Sequence, residues 1–167
     1  LVRFAAMGTY WKNREGFAGR GGIAAVLGSK NVKAVVVAGA RKTELADAAA
    51  LKKLLEERRE LLTTGTKALS TYGTPFLVKP INTLGGLGAY NLRQETFAEA
   101  MAISGEQMHA QYHAKDTTCL KCPVACGKQY EIRDGELLGL KAKMPEYETI
   151  FAFGSMLGNA HAASLAR

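Results

Sequence analysis

Apolar residues in the first quarter of the chain occur in short continuous runs, a pattern typical of buried strands. Residues 1–9 predict one such strand, and the β-branched residues 32–38 predict a second. Between them, the glycine-rich stretch 16–22 predicts a loop. The alanine-rich residues 23–27 predict one or two helical turns that end at Gly28 in a left-handed cap. This part of the chain is therefore expected to be rich in β structure.

From Thr43 onward, the spacing of apolar residues changes to that of amphipathic helices. Thr43 is a candidate N-cap for a helix that reaches about Leu62 and marks a domain junction. The apolar stripe of this helix consists of Leu51, Leu54, Leu55, Leu61 and Leu62. Further helices are predicted over 66–72, over 106–113, and from Glu146, with Pro145 fixing the start of the last. The pattern predicts an α+β fold in which a β-rich segment precedes a mainly helical one.

The composition is that of a globular protein, since 47% of the 167 residues are apolar and 22% are charged. Such a composition argues against disorder over the whole chain. The longest uninterrupted apolar run, 34–40, is far shorter than the ~20 residues of a membrane span. Because the chain begins at Leu1 inside an apolar run, without Met or a secretory leader, we expect it to be a piece of a longer protein.

Positive charge is concentrated at the start of the chain. The first 43 residues hold eight Lys or Arg and one Glu, which accounts for the whole net charge of +7. The charges of the remaining 124 residues cancel. This gradient predicts an anionic partner for the first quarter of the chain, either a phosphate-bearing ligand or nucleic acid.

Glycines are interleaved with these cations, and glycine lets backbone N–H groups approach an anion closely. The candidate anion-binding residues are Asn13, Arg20, Gly21, Gly22, Ser29 and Lys30. Arg20 is the first choice among them, because a guanidinium can bind phosphate through two hydrogen bonds. The spacing matches neither G-x-G-x-x-G nor G-x4-G-K-[ST], so a surface loop with solvated charges remains an alternative.

All three cysteines lie within eight residues, Cys119, Cys122 and Cys126, in the pattern C-x2-C-P-x2-C. An odd number at this spacing indicates metal ligation in a reducing compartment, and the cytoplasm is the default. Soft thiolates select zinc or an iron–sulfur cluster. Zinc would take a fourth ligand such as His109 or His113, whereas a [4Fe–4S] cluster would take one from elsewhere. A pair of structural cysteines with a bystander is a third interpretation.

Taken together, four segments resemble the tungsten-containing aldehyde:ferredoxin oxidoreductase family. They are Gly19-Arg-Gly-Gly22, the run 25–34 (Ala-Val-Leu-Gly-Ser-Lys-Asn-Val-Lys-Ala), the cysteine motif, and Pro145-Glu-Tyr-Glu-Thr149. The resemblance implies that residues 1–42 end a β-rich domain that holds a tungsten (or molybdenum) bis-pterin. It implies that residues 43–167 begin a helical domain whose cysteines supply three of the four ligands of a [4Fe–4S] cluster.

The same resemblance implies an enzyme that oxidises a small aldehyde to a carboxylic acid and passes electrons to ferredoxin or a similar one-electron carrier. The resemblance leaves two assemblies open, a homodimer and a complex with an electron-transfer subunit. The resemblance also gives Glu146 or Glu148 a role in moving the aldehyde proton, and Glu148 is preferred. Without the resemblance, both acids would simply complement the dipole of a helix that begins beside them.

Two other functions remain open. Within the family, one branch reduces aromatic acyl-CoA thioesters, and no residue of this chain selects between the two reactions. From a different class, the basic first quarter and the cysteine motif could form a zinc-stapled module that binds nucleic acid. A cluster protein is brown and a zinc module is colourless, so the two are readily distinguished. We expect the enzyme, with no nucleic acid partner and no membrane span.

Overall fold

The computed structural model describes residues 6–11, 14–41, 43–119 and 122–166. The chain divides into two compact units, Leu1–Ala46 and Asp47–Arg167. The division lies four residues after the domain boundary that the sequence predicts.

Among its described residues, the first unit contains a two-stranded antiparallel hairpin and one short helix. Strand β1 (Met7–Trp11) pairs with β2 (Arg14–Ala18), with Met7 opposite Ala18 and Trp11 opposite Arg14. The prediction of a loop from residue 16 is therefore wrong for its first three residues. The ring of Phe17 lies over Gly8, where an added Cβ would be 3.3 Å from that ring. Because Gly8 has no side chain, the ring can make this cross-strand contact.

Helix α1 (Ile23–Ser29) follows a short 3₁₀ turn, Arg20–Gly22, and confirms the predicted helical turns. Its left-handed terminator is Asn31, with φ 56°, and not Gly28, which is buried inside the helix. Asparagine adopts this conformation more readily than most residues with a side chain, so it replaces glycine here.

The predicted strand over 32–38 does not form. The segment has no regular secondary structure, and Val36 is 91% exposed. A strand is stabilised by hydrogen bonds to a neighbouring strand, and none of the described residues pairs with this segment. β-branched composition alone does not supply that partner.

The second unit begins with the long helix α2 (Ala48–Gly65). Its N-cap is Asp47, whose side chain accepts a hydrogen bond from the Ala50 N–H at 2.8 Å, so the prediction of a start at Thr43 is wrong. No residue of α2 is buried, and its predicted leucine stripe is exposed. The helix has the predicted amphipathic pattern, but none of the leucines in its stripe is buried.

The remaining helices are short and surround a small sheet. They are α3 (Lys67–Tyr72), α4 (Val78–Thr83), α5 (Gly105–Tyr112), α6 (Tyr147–Phe153) and α7 (Ala162–Leu165). The predicted helices at 66–72, at 106–113 and after Glu146 are confirmed by α3, α5 and α6. Pro145 precedes the N-cap Glu146 and does not occupy the first helical position. Short 3₁₀ turns connect several of these elements.

Three antiparallel strands complete the unit in the order β3-β4-β5. They are β3 (His113–Thr117), β4 (Gly127–Glu131) and β5 (Lys141–Lys143). The core joins the central strand to the helices through Tyr130, Phe97, Met108 and Ile150, all with no exposed surface. The mixture of helices and antiparallel sheet confirms the α+β class. The cysteine segment connects β3 to β4, so both of its ends are anchored on this core.

Candidate metal centre

The cysteine loop, residues 118–126, leaves the sheet and returns to it at one point. Thr117, the last residue of β3, lies opposite Gly127, the first residue of β4. A Cβ on Gly127 would collide with the Thr117 hydroxyl, so glycine allows the two strands to approach closely where the loop closes. The antiparallel ladder thereby fixes the distance between the two ends of the loop.

Hydrogen bonds inside the loop hold its first two cysteines in one turn. The Cys122 N–H donates to the Cys119 carbonyl at 3.0 Å, and the Thr118 hydroxyl donates to the Cys122 carbonyl at 2.6 Å. Ala125 takes a left-handed conformation with φ 50°, which redirects the chain immediately before Cys126. All three thiols are free; Cys119 is exposed, and Cys122 and Cys126 are half-buried.

The described side chains do not converge on a site for a single metal ion. Among the described residues, no three His, Cys, Asp or Glu side chains lie where one metal ion could bind them all. His113, a candidate zinc ligand, already has a partner for its Nε2 atom, which is 2.9 Å from the Asp116 carboxylate. A mononuclear zinc site needs its ligands to converge on one ion. A [4Fe–4S] cluster places each thiolate on a different iron atom, so its ligands are spread around a larger group.

A cavity of about 450 Å³ lies beside the loop. Its wall contains Ser70, Thr71, His109, His113, Asp116, Pro123, Val124 and Ala125. The rings of His109 and His113 stack with their centres 4.2 Å apart, and Tyr72 packs edge-on against His109 at 5.5 Å. The loop therefore has a titratable wall on one side.

Two pKa values in this wall depart from their ordinary values. Burial lowers the pKa of His109, and the charges of His113 and Lys128 lower it further against the opposing charge of Asp116. Desolvation acts to raise the pKa of Asp116, but hydrogen bonds from Lys128 and His113 outweigh it, so that pKa is lowered. Among the described residues, the buried Nδ1 of His109 has no hydrogen-bond partner. Burial therefore favours the neutral form of His109 over the protonated form.

The two predicted acids at the start of α6 have different environments. The Glu146 carboxylate accepts a hydrogen bond from the Thr74 hydroxyl at 2.7 Å and lies 3.5 Å from the Lys143 ammonium. Glu148 is exposed in the first helical turn. Burial raises the pKa of Tyr147, and the charge of Glu148 contributes to the same shift. Glu146 is therefore fixed by neighbouring groups, while Glu148 is available to a ligand.

The predicted anion-binding residues of the first unit lie at both ends of α1. Arg20, Gly21 and Gly22 precede it, and Gly21 and Gly22 have φ values of 80° and 70° with open space where a Cβ would stand. Ser29, whose hydroxyl donates to the Val26 carbonyl, and Lys30 end the helix. The two groups are separated by about 10 Å along the helix axis.

The exposed cations at both ends of α1 and the open backbone before it leave side chains and backbone N–H groups accessible to an anion. Asn13 lies outside the described residues.

Two contacts important for this region were missed by sequence reasoning. Thr74 caps α6 from outside the helix, since its Oγ1 accepts the Tyr147 N–H at 2.9 Å. The Lys128 ammonium donates a hydrogen bond to the Ala125 carbonyl of the cysteine loop at 2.8 Å. Thr74 and Tyr147 are 73 positions apart, and Lys128 also contacts the Ser70 carbonyl, 58 positions away. Only a Lys two residues after the last cysteine could have drawn attention to the second contact.

No helix among the described residues is both long enough and apolar enough to cross a membrane.

Comparison with known proteins gives one consistent family. Residues 49–167 match the family model for aldehyde ferredoxin oxidoreductase, domains 2 and 3. The chain is 39% identical over 168 residues to a tungsten-containing aldehyde ferredoxin oxidoreductase of Pyrococcus horikoshii, covering 98% of this chain and 26% of that protein. It is 36% identical to the protein of the same name from Pyrococcus furiosus, covering 99% of this chain and 27% of that protein.

A more distant relative has a different name. The aliphatic sulfonate oxidoreductase, WOR-like subunit, of Pyrococcus furiosus is 30% identical, covering 94% of this chain and 25% of that protein. The chain spans about a quarter of the length of the curated relatives that it matches. Since the family model covers most of the second unit and the identity extends over the first, the chain belongs to the aldehyde ferredoxin oxidoreductase family.

Proposed function

We propose that this chain is part of a cytoplasmic tungsten enzyme that oxidises small aldehydes to carboxylic acids and passes the electrons through a [4Fe–4S] cluster to ferredoxin or a similar carrier. The observation that carries the proposal is the cysteine loop, whose three free thiols stand between two paired strands in a chain of this family. The names of the tungsten-containing relatives support the metal and the substrate class.

Cys119, Cys122 and Cys126 each bind one iron atom in this proposal, and the fourth ligand comes from another part of the full-length protein. The turn from Cys119 to Cys122 and the left-handed Ala125 orient the three thiolates. The strand pair at Thr117 and Gly127 holds the loop at both ends, so little conformational entropy remains to be lost when the cluster binds.

The first unit holds the anionic part of the pterin cofactor. Arg20 pairs with it, and the N–H groups around Gly21 and Gly22 approach it through the open backbone. Ser29, Lys30 and Asn13 bind other polar groups of the same large ligand. When bound, this cofactor supplies the two-electron redox chemistry, while the protein orients it and excludes water.

Glu148 is the general base. Oxidation of an aldehyde with water to a carboxylic acid releases two protons and two electrons, and a carboxylate within hydrogen-bond reach accelerates such a step by about 10²–10⁴. Glu148 has no neighbouring cation within ion-pair distance among the described residues, whereas Glu146 is held by Thr74 and Lys143. Glu146 therefore positions the start of the helix that carries Glu148.

The first experiment measures iron, acid-labile sulfide, tungsten and zinc in the full-length protein and in each Cys→Ala variant. We expect iron and sulfide in the parent protein, and their loss in all three variants. Zinc without sulfide in the parent would refute the proposal and favour the nucleic-acid-binding module. Unchanged iron in one variant would remove that cysteine from the ligand set.

The second experiment compares turnover of Glu148→Gln and Glu146→Gln at equal tungsten and iron content. We expect the first to lose about 10²–10⁴ of the rate, and the second to lose much less. If both metal-loaded variants match the parent, neither glutamate is the base.

A further inference from the structure

Lys128 has an unusual position for a lysine. It lies on β4, two residues after Cys126, and its side chain has no exposed surface. Among the described residues it is the only charged side chain that is buried. An ammonium group is costly to remove from water unless every donor finds a partner.

The Lys128 ammonium has three partners, two through hydrogen bonds and one through an ion pair. They are the Ser70 carbonyl at 2.5 Å, the Ala125 carbonyl at 2.8 Å and the Asp116 carboxylate at 3.0 Å. These partners belong to α3, to the cysteine loop and to β3. One buried charge thus connects the loop to two elements of the core.

The contact at Ala125 is the one that concerns the loop. Ala125 precedes Cys126 and has a left-handed conformation, which costs free energy for a residue with a side chain. The charge-assisted hydrogen bond from Lys128 to its carbonyl compensates that cost and fixes the direction in which the chain enters Cys126.

The charge of Lys128 is only partly neutralised. Its counterion, Asp116, has a side chain that is 56% exposed, so solvent screens the carboxylate more than the ammonium. Asp116 is shared with His113, which lies 2.9 Å from the same oxygen atom. The positive charge beside the loop backbone is thus buried, whereas the negative charge that pairs with it is partly exposed.

We propose that Lys128 is the positioning residue of the cysteine loop, and that its buried charge raises the reduction potential of the metal group that the loop binds. The claim about the reduction potential, the electrostatic half of the proposal, rests on the proposed function. When a cluster accepts one electron from a reductant it gains one negative charge, and a fixed cation nearby stabilises that reduced form.

The test of the electrostatic half is a redox titration of the anaerobically purified full-length holoprotein, with the reduced cluster followed by electron paramagnetic resonance. Lys128→Met keeps a long apolar side chain and removes the charge. In this variant we expect a more negative midpoint reduction potential. At the potential that half-reduces the parent, the ratio of reduced to oxidised cluster should fall roughly tenfold. In Asp116→Asn the midpoint should move in the opposite direction, by less, because Asp116 is partly exposed.

Lys115→Met is the matched control, because Lys115 is a lysine of β3 with an exposed side chain. Its midpoint should match that of the parent. A purely structural role for Lys128 would not produce shifts of opposite sign in Lys128→Met and Asp116→Asn. Should Lys128→Met fail to retain its cluster, Asp116→Asn still decides the question, since the amide oxygen can accept the same hydrogen bond. Unchanged midpoints in the two charge variants, or in Asp116→Asn alone when Lys128→Met holds no cluster, would overturn the electrostatic half.

The positioning half is tested on the metal-free full-length protein by amide hydrogen exchange. We expect the amides of residues 125–127 to exchange roughly tenfold faster in Lys128→Met, and at the parent rate in Lys115→Met. Equal rates in all three proteins would overturn the positioning role. If exchange responds as expected but the parent holds no iron or sulfide, the positioning role stands and the proposed cluster is wrong.

Discussion

Replacing Thr74 by Val should loosen the start of α6, the helix that carries Glu148. The Thr74 hydroxyl donates to the Glu146 carboxylate at 2.7 Å and accepts the Tyr147 N–H at 2.9 Å. Both groups belong to the first turn of α6, where backbone N–H groups have no partner inside the helix. Valine has nearly the same shape but can make neither hydrogen bond.

The expected magnitude follows from these two contacts. Loss of a capping acceptor costs about 1 kcal/mol. A hydrogen bond to a carboxylate contributes about 1.5–3 kcal/mol when buried, and less here because the Glu146 side chain is 45% exposed. We therefore expect a total of about 2 kcal/mol, which corresponds to roughly 30-fold in an equilibrium constant.

The assay is native-state amide hydrogen exchange in the full-length protein, read at the Tyr147 amide. Thr74→Val should lose roughly 30-fold in protection there. Amides at the centre of α5 act as an internal reference and should change little, because Thr74 makes no hydrogen bond to that helix.

Thr74→Ser is the control, since it keeps the hydroxyl and should retain most of the protection. Combining Thr74→Val with Glu146→Gln completes a double-mutant cycle, and the coupling energy should be at least about 0.5 kcal/mol. Parent-like protection of Tyr147 in Thr74→Val would refute the reasoning, as would an equal loss in the valine and serine variants.

Three further changes have clear expected outcomes. Tyr130→Phe removes a buried hydroxyl that has no partner among the described residues, so the free energy of unfolding should rise by about 1 kcal/mol. Urea titration measures this, and a clear decrease in the free energy of unfolding would contradict it. Acidification below pH 6.5 should lower the amide protection of α5, because unfolded His109 binds a proton that the folded form, with its lowered pKa, resists. In His109→Phe this decrease in protection should be smaller. An unchanged pH dependence would refute that assignment. Gly73→Ala should lower the melting temperature, since Gly73 has φ 67° and its Cβ would meet Met144 and, at 2.9 Å, the Cys126 carbonyl; an unchanged melting temperature would refute this.

Local signals in the sequence were sufficient for several elements. Helices α5 and α6 were both predicted within a residue or two, and the start of α6 was signalled by Pro145. The long helix was predicted, but the Asp47 side chain made the cap in place of Thr43. Both Asp and Thr are good caps, and the choice depends on backbone angles that sequence does not show.

Elements that depend on distant partners could not be predicted in the same way. Residues 32–38 have the composition of a strand, yet no described residue pairs with them. The hairpin β1–β2 extended into the glycine-rich stretch because Gly16 and Phe17 pair with Thr9 and Gly8. Pairing is a property of two segments, so the pattern of one segment is insufficient.

The candidate site divides in the same manner. The three cysteines were recognisable because their spacing is local, and the structure places them on one loop between paired strands. The contacts of Lys128 with Ser70 and of Thr74 with Glu146 join residues 58 and 72 positions apart. Only the fold brings these groups together, so sequence reasoning could not have found them.

The most direct test of the proposed function follows the cluster during a single turnover. Oxidised full-length protein is mixed anaerobically with a small aldehyde in the absence of ferredoxin, and the spectrum of the reduced cluster is recorded by electron paramagnetic resonance. The proposal predicts that this signal develops as acid forms, disappears when oxidised ferredoxin is added, and is absent in Cys122→Ala. Acid formation without any reduced-cluster signal, or an identical signal in Cys122→Ala, would contradict the claim that this loop carries the electrons.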